Sequence, residues 1–312
     1  MGILVLALVG SGAAGKLFKK EHTMDFDGNM GPNVHIYSHL VEKVKEDAAL
    51  ALDLKEVKDI SLYYRDLKSG NWFAINKDEK FNTASLMKVP LMMECLESAE
   101  SHPSLIKKRL LFNSNEDWTL QQNIKPAKTL VPGNTYSLDQ LLFRMMAYSD
   151  NNAVQLVLQE FPTDNLCRFL VNHNIDFEKD QEGFKMSLGT YSRLFEALYN
   201  QSLLNSTMSQ KALSYLAAED FPQGMHAALP PGITVESKFG EKIVQDISGK
   251  VVSTQLHEVG IIQDGNRSFL LGIMTSGYNL TVLKRTIQNI THDIYEELNK
   301  AEHPAGRVSP IS

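Results

Sequence analysis

The sequence predicts a three-layer α/β (αβα) protein: one antiparallel sheet built from both chain ends, covered by terminal helices, with an all-helical subdomain inserted beside it. Three observations predict it. Strand-like runs cluster near the two ends of the chain, and helical periodicity dominates between them. A chain of 312 residues that is 43% apolar and 22% charged can bury a sizeable core and lies well away from the disordered range.

In chain order, residues 1–20 come first, with a nearly continuous apolar run from Ile3 to Ala14 that ends in small residues. This is shorter than the roughly 20 apolar residues of a membrane span and suits an export signal. It also suits a short anchor backed by Lys16, Lys19 and Lys20, because no Lys or Arg precedes the run. Export to the periplasm or cell surface, cleaved or anchored, is the expectation; a buried core helix is the alternative. Residues 21–33 are polar and rich in Gly and Asp, and read as a linker.

Ile36, Leu40, Val41 and Val44 then fall at helical spacing. Short strands at 60–64 and 72–75 flank a Lys68-Ser69-Gly70-Asn71 turn. Helical patterns at 138–147, 153–161 and 191–199 fill the middle, and strands return at 234–239, 255–262 and 269–274. Asp264-Gly265-Asn266 supplies a hairpin turn between the last two strands. In a final helix over 280–298, Val282, Ile287, Ile290, Ile294 and Leu298 make an apolar stripe. The folded domain is therefore expected over 34–300, with sheet parts at 34–84 and 221–300, a helical part at 85–220 and a tail at 301–312. A cleft is expected where the insertion meets the sheet.

Composition excludes some function classes. The net charge of −6 is mild and spread out, and the absence of any basic block argues against nucleic acid. Cys95 and Cys167 are the only cysteines, each in an apolar helical pattern, and read as two buried free thiols, with a disulfide between them left open. No Cys/His cluster has metal-ligand spacing, so neither a metal nor another cofactor is expected.

Three short motifs carry chemistry. In the first, Ser85-x-x-Lys88, Thr83 is placed to cap a helix that would set both side chains on one face. A serine at a helix start sits where backbone N–H groups favour negative charge, which suits attack on a carbonyl. The lysine can deprotonate it only as a neutral amine, which requires burial or a nearby cation. The second motif, Ser149-Asp150-Asn151, lies between two helical patterns. It reads either as a plain helix cap or as a proton donor (Ser149) and an amide-binding group (Asn151). The third, Lys238-Phe239-Gly240, ends a strand pattern. Its glycine would let a substrate backbone approach, and its lysine would attract a carboxylate and depress Lys88. Two decoys exist: Ser104-x-x-Lys107 repeats the first pattern, and Lys68-Ser69-Gly70 mimics the third in a solvated turn.

In this order the three motifs resemble those of class A β-lactamases and penicillin-binding proteins, a set known for its Ser-x-x-Lys, Ser-Asp-Asn and Lys-Thr-Gly elements. The resemblance covers about residues 34–300 and is nearest the class A-like "β-lactamase 2" branch, through Lys238-Phe239-Gly240-Glu241 and Gln255-Leu256-His257. It implies that Ser85 attacks a lactam or amide carbonyl, with Lys88 as base or relay. Ser149 would deliver a proton to the leaving nitrogen, helped by Lys238, and Asn151 would orient the acyl amide. The N–H groups of Ser85 and Glu241 would form the oxyanion hole.

The chain departs from that family in two places. The Glu-x-x-Leu-Asn segment that activates the deacylating water is missing, which leaves Glu178, Asp180, Glu182 or no group in that role. Phe239 stands where a hydroxyl would help bind a carboxylate, and His257 is either a contributor or a core histidine. The resemblance thus implies a β-lactam-opening serine hydrolase acting in β-lactam antibiotic catabolism. The alternatives are a D-Ala-D-Ala peptidase of the penicillin-binding type and a catalytically silent wall-binding relative. The partner in each case is a β-lactam or a small molecule like a peptidoglycan peptide, and membrane contact runs only through the N-terminal segment. If the chosen motif copies are the working ones, Ser104→Ala and Lys68→Ala leave β-lactam hydrolysis near the wild-type rate in a chromogenic assay; a collapse in either identifies the wrong copy.

Overall fold

The computed structural model describes residues 24–29, 34–53, 55 and 57–302; the export segment at 1–20, most of the linker and residues 303–312 of the tail lie outside them. Strand β1 (Phe26–Asn29) precedes helix α1 (Val34–Asp53), β2 (Val57–Asp66), β3 (Trp72–Ile75) and β4 (Lys80–Asn82). A 3₁₀ turn over Ala84–Met87 runs directly into α2 (Lys88–Ser101). Next come β5 (Arg109–Leu111), β6 (Thr135–Ser137), α3 (Leu138–Ala147), α4 (Asn151–Glu160) and α5 (Thr163–Asn172). Then follow β7 (Glu178–Asp180), β8 (Gly183–Ser187), α6 (Leu188–Asn200) and α7 (Ser206–Leu216). The chain closes with β9 (Thr234–Gln245), β10 (Val251–Asp264), β11 (Arg267–Gly277) and α8 (Leu280–Glu302).

Both chain ends supply one six-stranded sheet in the order β1-β3-β2-β11-β10-β9, antiparallel throughout. Alternation sorts its side chains into two faces. Ile60, Leu62 and Tyr64 of β2 and Phe269, Leu271 and Ile273 of β11 join the core that holds Val44 and Ala48 of α1 and Ile287 and Ile294 of α8. Tyr63, Leu270 and Met274, on the other face, join the core of the helical region with Met92, Leu141 and Phe195. The sheet is thus the middle of three layers.

The ends of several elements carry the groups that local backbone chemistry requires. Ser137 and Gln140 form a reciprocal capping box at α3, and Asn205 caps α7 through the N–H of Met208. The hairpin between β10 and β11 turns at Gly265, whose φ of 56° suits a residue without a Cβ.

The structure adds three features to the architecture read from the sequence. Within the stretch read as a linker, β1 pairs with β3 on the sheet edge, where Gly28 permits the approach: a Cβ there would lie 2.9 Å from the Trp72 carbonyl oxygen. All four β1 residues are exposed, so no alternation marks them. The helical region also holds two small sheets, β4-β8-β7 and β5-β6. Their strands, apart from β8 with five residues, span only three residues each, too short for a period to show. Both cysteines are free, but only Cys95 is buried; Cys167 is half-buried on α5.

Among the described residues, no helix is long and apolar enough to cross a membrane, and no group of three His, Cys, Asp or Glu side chains could hold a metal ion. The outer layer depends on α8: truncating the fully buried Ile287 to alanine is expected to cost about 2–5 kcal/mol in denaturant unfolding, and a change below about 0.5 kcal/mol would contradict the packing.

Candidate active site

The turn that carries Ser85 is held by β8 and by the side chain of Asn82. Thr83 N–H donates to the Phe184 carbonyl at 2.9 Å and Thr83 Oγ1 to the same oxygen at 3.0 Å, tying the turn to β8. Thr83 therefore makes no side-chain cap, contrary to the sequence reading; the turn N–H of Ala84 is taken by Asn82 Oδ1 at 3.0 Å. Ala84 has φ 46°, a left-handed conformation that costs a residue with a Cβ roughly 1–3 kcal/mol and persists only where its surroundings hold it. Ser85 and Lys88 thus lie at the junction of a 3₁₀ turn and α2, not within one regular helix.

Lys88 is buried, with its Nζ donating to the Ser149 carbonyl at 2.6 Å and to Ser149 Oγ at 2.9 Å. Burial pushes its amine well below the ordinary 10.5, and the Lys238 charge pushes the same way, against Asp150, Glu219 and Glu241. The shift is in the direction that favours the neutral amine.

Ser149 is not a cap either: it has φ 54°, and Asp150 caps α4 by accepting from Asn152 N–H at 2.9 Å. Gln122 Nε2 donates to the Ser149 carbonyl at 3.0 Å, so this oxygen serves two donors. Asp150, which the sequence reading left without a role, is fully buried and holds Thr129 Oγ1 and the N–H of Leu130.

A cavity of about 510 Å³ opens beside these groups; Ser85, Lys88, Asn151, Glu241, Glu182 and Lys242 are among the residues that line it. Of the three acidic residues considered for deacylation, Glu182 alone is among them. Asp180 is tied to Lys185 at 2.6 Å and Glu178 to Lys80 at 3.1 Å, both on the surface. Glu182 is itself 68% exposed and pairs with Lys242 at 3.2 Å. Lys242 was overlooked in the sequence, although it lies two residues beyond Gly240 and so shares its face of the strand.

Gly240 serves packing between elements of the chain itself. A Cβ at 240 would lie 2.8 Å from the Thr83 carbonyl oxygen and 3.1 Å from Leu86 N, so β9 lies directly against the Ser85 turn. β9 is the edge strand. Phe239 N–H leaves that edge to reach Glu219 Oε1 at 2.8 Å, and antiparallel alternation sends Glu241 N–H the same way, off the sheet.

Lys238 and Phe239 sit differently from the sequence expectation. The Lys238 side chain is fully buried, with Nζ 2.5 Å from Glu219 Oε1 and 4.0 Å from the Phe239 ring centre, and it is not among the cavity-lining residues. Its charge meets Glu219 inside the protein. Phe239 faces the α1/α8 core and stacks on Phe221 with centroids 4.3 Å apart.

Ser237 Oγ donates to Glu219 Oε2 at 2.7 Å and lies 3.1 Å from Glu258 Oε1. Burial first, and Glu219 second, push Glu258 up to about 8. A hydroxyl has one hydrogen, so Ser237 cannot donate fully to both carboxyl groups at once. Nothing in the sequence marks Glu219, since it meets Lys238 only through the tertiary fold.

His257 is a core histidine. It is fully buried, edge-on to Phe81 at 5.4 Å, and burial pushes it down to about 4. Its Nδ1 accepts from Thr275 N–H at 3.2 Å, which leaves Nε2 to donate to the Asn82 carbonyl at 3.0 Å. It thereby supports the strand that leads into the Ser85 turn.

Comparison with known proteins bears on the fold and the family. A search of curated proteins found no significant match. Among solved structures, a β-lactamase from Chitinophaga pinensis DSM 2588 superposes with a TM-score of 0.71 at 17% identity, covering 83% of this chain and 98% of that one. A class A β-lactamase from Mycobacterium abscessus gives 0.67 at 18% identity, covering 82% and 98%. A mutant of PBP-A in an acyl-enzyme complex with penicillin G gives 0.68 at 18%, covering 84% and 97%. At these identities the likenesses establish the fold. The family model described as the beta-lactamase enzyme family matches residues 43–298, and the chain belongs to that family.

Proposed function

We propose that this protein is a serine hydrolase that opens β-lactam rings through an acyl-enzyme on Ser85. The observation that carries the reading is the shared cavity of Ser85 and Lys88, the latter with its amine buried, depressed and held on Ser149. Neutral Lys88 takes the Ser85 proton as Oγ bonds to the lactam carbonyl carbon. The carbonyl oxygen becomes an oxyanion that the N–H groups of Ser85 and Glu241 stabilise. As the C–N bond breaks, the proton passes along the Lys88–Ser149 hydrogen bond to the leaving nitrogen, and an ester on Ser85 remains. Asn151, on the cavity wall, is placed to hold an acyl amide. Lys238 acts from behind the wall, through its charge on Lys88.

Hydrolysis of that ester needs a water and a base. Glu182 is assigned this role as the one of the three acidic candidates among the cavity-lining residues. Its exposure and its tie to Lys242 favour slow deacylation, and that observation supports a second reading, a penicillin-binding-type peptidase that retains β-lactams as a stable adduct. Action outside the cytoplasm would follow from the apolar run at Ile3–Ala14.

Nitrocefin turnover combined with intact-protein mass spectrometry tests the proposal. Wild type is expected to form an adduct that Ser85→Ala lacks, and Glu182→Gln to prolong its lifetime by roughly 100- to 10,000-fold. Repeated turnover supports the β-lactamase, a stoichiometric adduct with little turnover supports the peptidase, and no adduct on wild type refutes both. The rate of adduct formation should rise with pH as Lys88 loses its proton and level off above a midpoint well below 10.5; a midpoint at the ordinary lysine value would refute the depression of Lys88, and a rate independent of pH up to that value would exclude Lys88 as the base.

A further inference from the structure

A second cavity, of about 460 Å³, lies beside the one that holds Ser85, and Leu158 of α4 lines both. It is built from residues 111–114 at the end of β5, a short 3₁₀ turn over Trp118–Gln121 and one face of α4, where Gln155 and Gln159 stand one turn apart. Phe112 and Leu156, both buried, supply its apolar part. The Trp118 turn is fastened to the start of α4: Asn152 Oδ1 accepts from Trp118 N–H at 2.9 Å, and Asn152 Nδ2 donates to Asp117 Oδ1 at 3.0 Å. No charged residue lines this cavity, whereas Lys88, Glu182, Glu241 and Lys242 line the one at Ser85. Among the described residues, the side-chain amides of Asn113, Gln155 and Gln159 make no hydrogen bond, and the half-buried Trp118 stacks on no other ring.

We propose that this cavity binds a neutral oligosaccharide, with one pyranose ring laid against the indole of Trp118 and its hydroxyls bonded to the amides of Asn113, Gln155 and Gln159. Its volume falls within the roughly 300–1,000 Å³ that small-molecule sites occupy. A pyranose ring has an apolar face of C–H groups and an edge of hydroxyls. The indole offers a large, rigid surface to the face. Each hydroxyl both donates and accepts, and a primary amide carries one carbonyl acceptor and two N–H donors, so one amide serves two neighbouring hydroxyls. A phosphate or carboxylate ligand would find no cation here, and an amine no anion. A peptide is the other neutral occupant, but it is held chiefly through backbone groups, whereas the free polar groups here are side-chain amides.

Calorimetric titration of the whole chain with chitotetraose and with cellotetraose, beside an uncharged proline-rich decapeptide, tests the proposal. At least one tetrasaccharide is expected to bind wild type saturably and more tightly than the peptide does. Trp118→Ala is expected to weaken that binding by about ten-fold or more, and Gln155→Ala by about 2- to 10-fold, the range of one hydrogen bond. If Trp118→Ala lowers the melting temperature, the double variant Gln155→Ala/Gln159→Ala, altered only on the face of α4 toward the cavity, decides in its place. No saturable binding of either saccharide, tighter binding of the peptide, or a saccharide affinity unchanged in the double variant overturns the inference. The readout is binding without turnover, so each of these results leaves the acyl-enzyme on Ser85 to its own test.

Discussion

The buried amine of Lys88 meets both the carbonyl and the hydroxyl of Ser149, and much of the local architecture serves that contact. The side chain is withdrawn from water between the Ser85 turn and the loop joining α3 to α4. A buried amine without acceptors would cost about 1–3 kcal/mol, so the loop presents both the carbonyl and the hydroxyl of Ser149 to it. Presenting both requires the left-handed backbone at Ser149, and that conformation is held by Gln122 on the carbonyl and by Asp150, which caps α4 and anchors Thr129 and Leu130. The middle residue of the Ser-Asp-Asn motif therefore works through the backbone of its neighbours.

A second constraint is the contact between the sheet edge and the nucleophile turn. Gly240 allows β9 to touch the backbone of Thr83 and Leu86, and Glu241 beside it is among the residues that line the cavity. His257, on β10 opposite Gly240, holds the Asn82 carbonyl just before the strained Ala84. Because its folded value of about 4 lies below the ordinary 6.5, the stability the neutral ring contributes is fully present above pH 6.5 and is lost as the pH falls toward 4, where the charge is buried and Nδ1 no longer accepts from Thr275 N–H.

Behind that edge, Lys238, Glu219, Ser237 and Glu258 form a buried polar group. Such an ion pair is weak as a source of stability, because desolvation offsets the attraction. Its geometry still has consequences: Glu219 binds the Lys238 amine, the Ser237 hydroxyl and the Phe239 N–H together, which fixes the outer side of β9 where the strand passes the cavity. The aromatic residue at 239 fits the same arrangement, since its ring packs on Phe221 in the core on the far side of the sheet.

Sequence by itself determined the fold class, the long elements and the three motif positions. Those depend on periodicity and spacing within a few residues, as in the stripe on α8 and the short apolar runs along β2 and β11. It also put forward Ser85, Lys88 and Ser149 for one site, through the resemblance of the three motifs to a known family. Strands of three residues and an exposed edge strand left no such trace. The tertiary structure alone decided that Lys238 spends its charge on Glu219, that Phe239 turns away from the cavity, and that Glu182 and Lys242 line it. Each depends on which distant segments pack together and on which face of a strand a residue falls, and no local pattern encodes either.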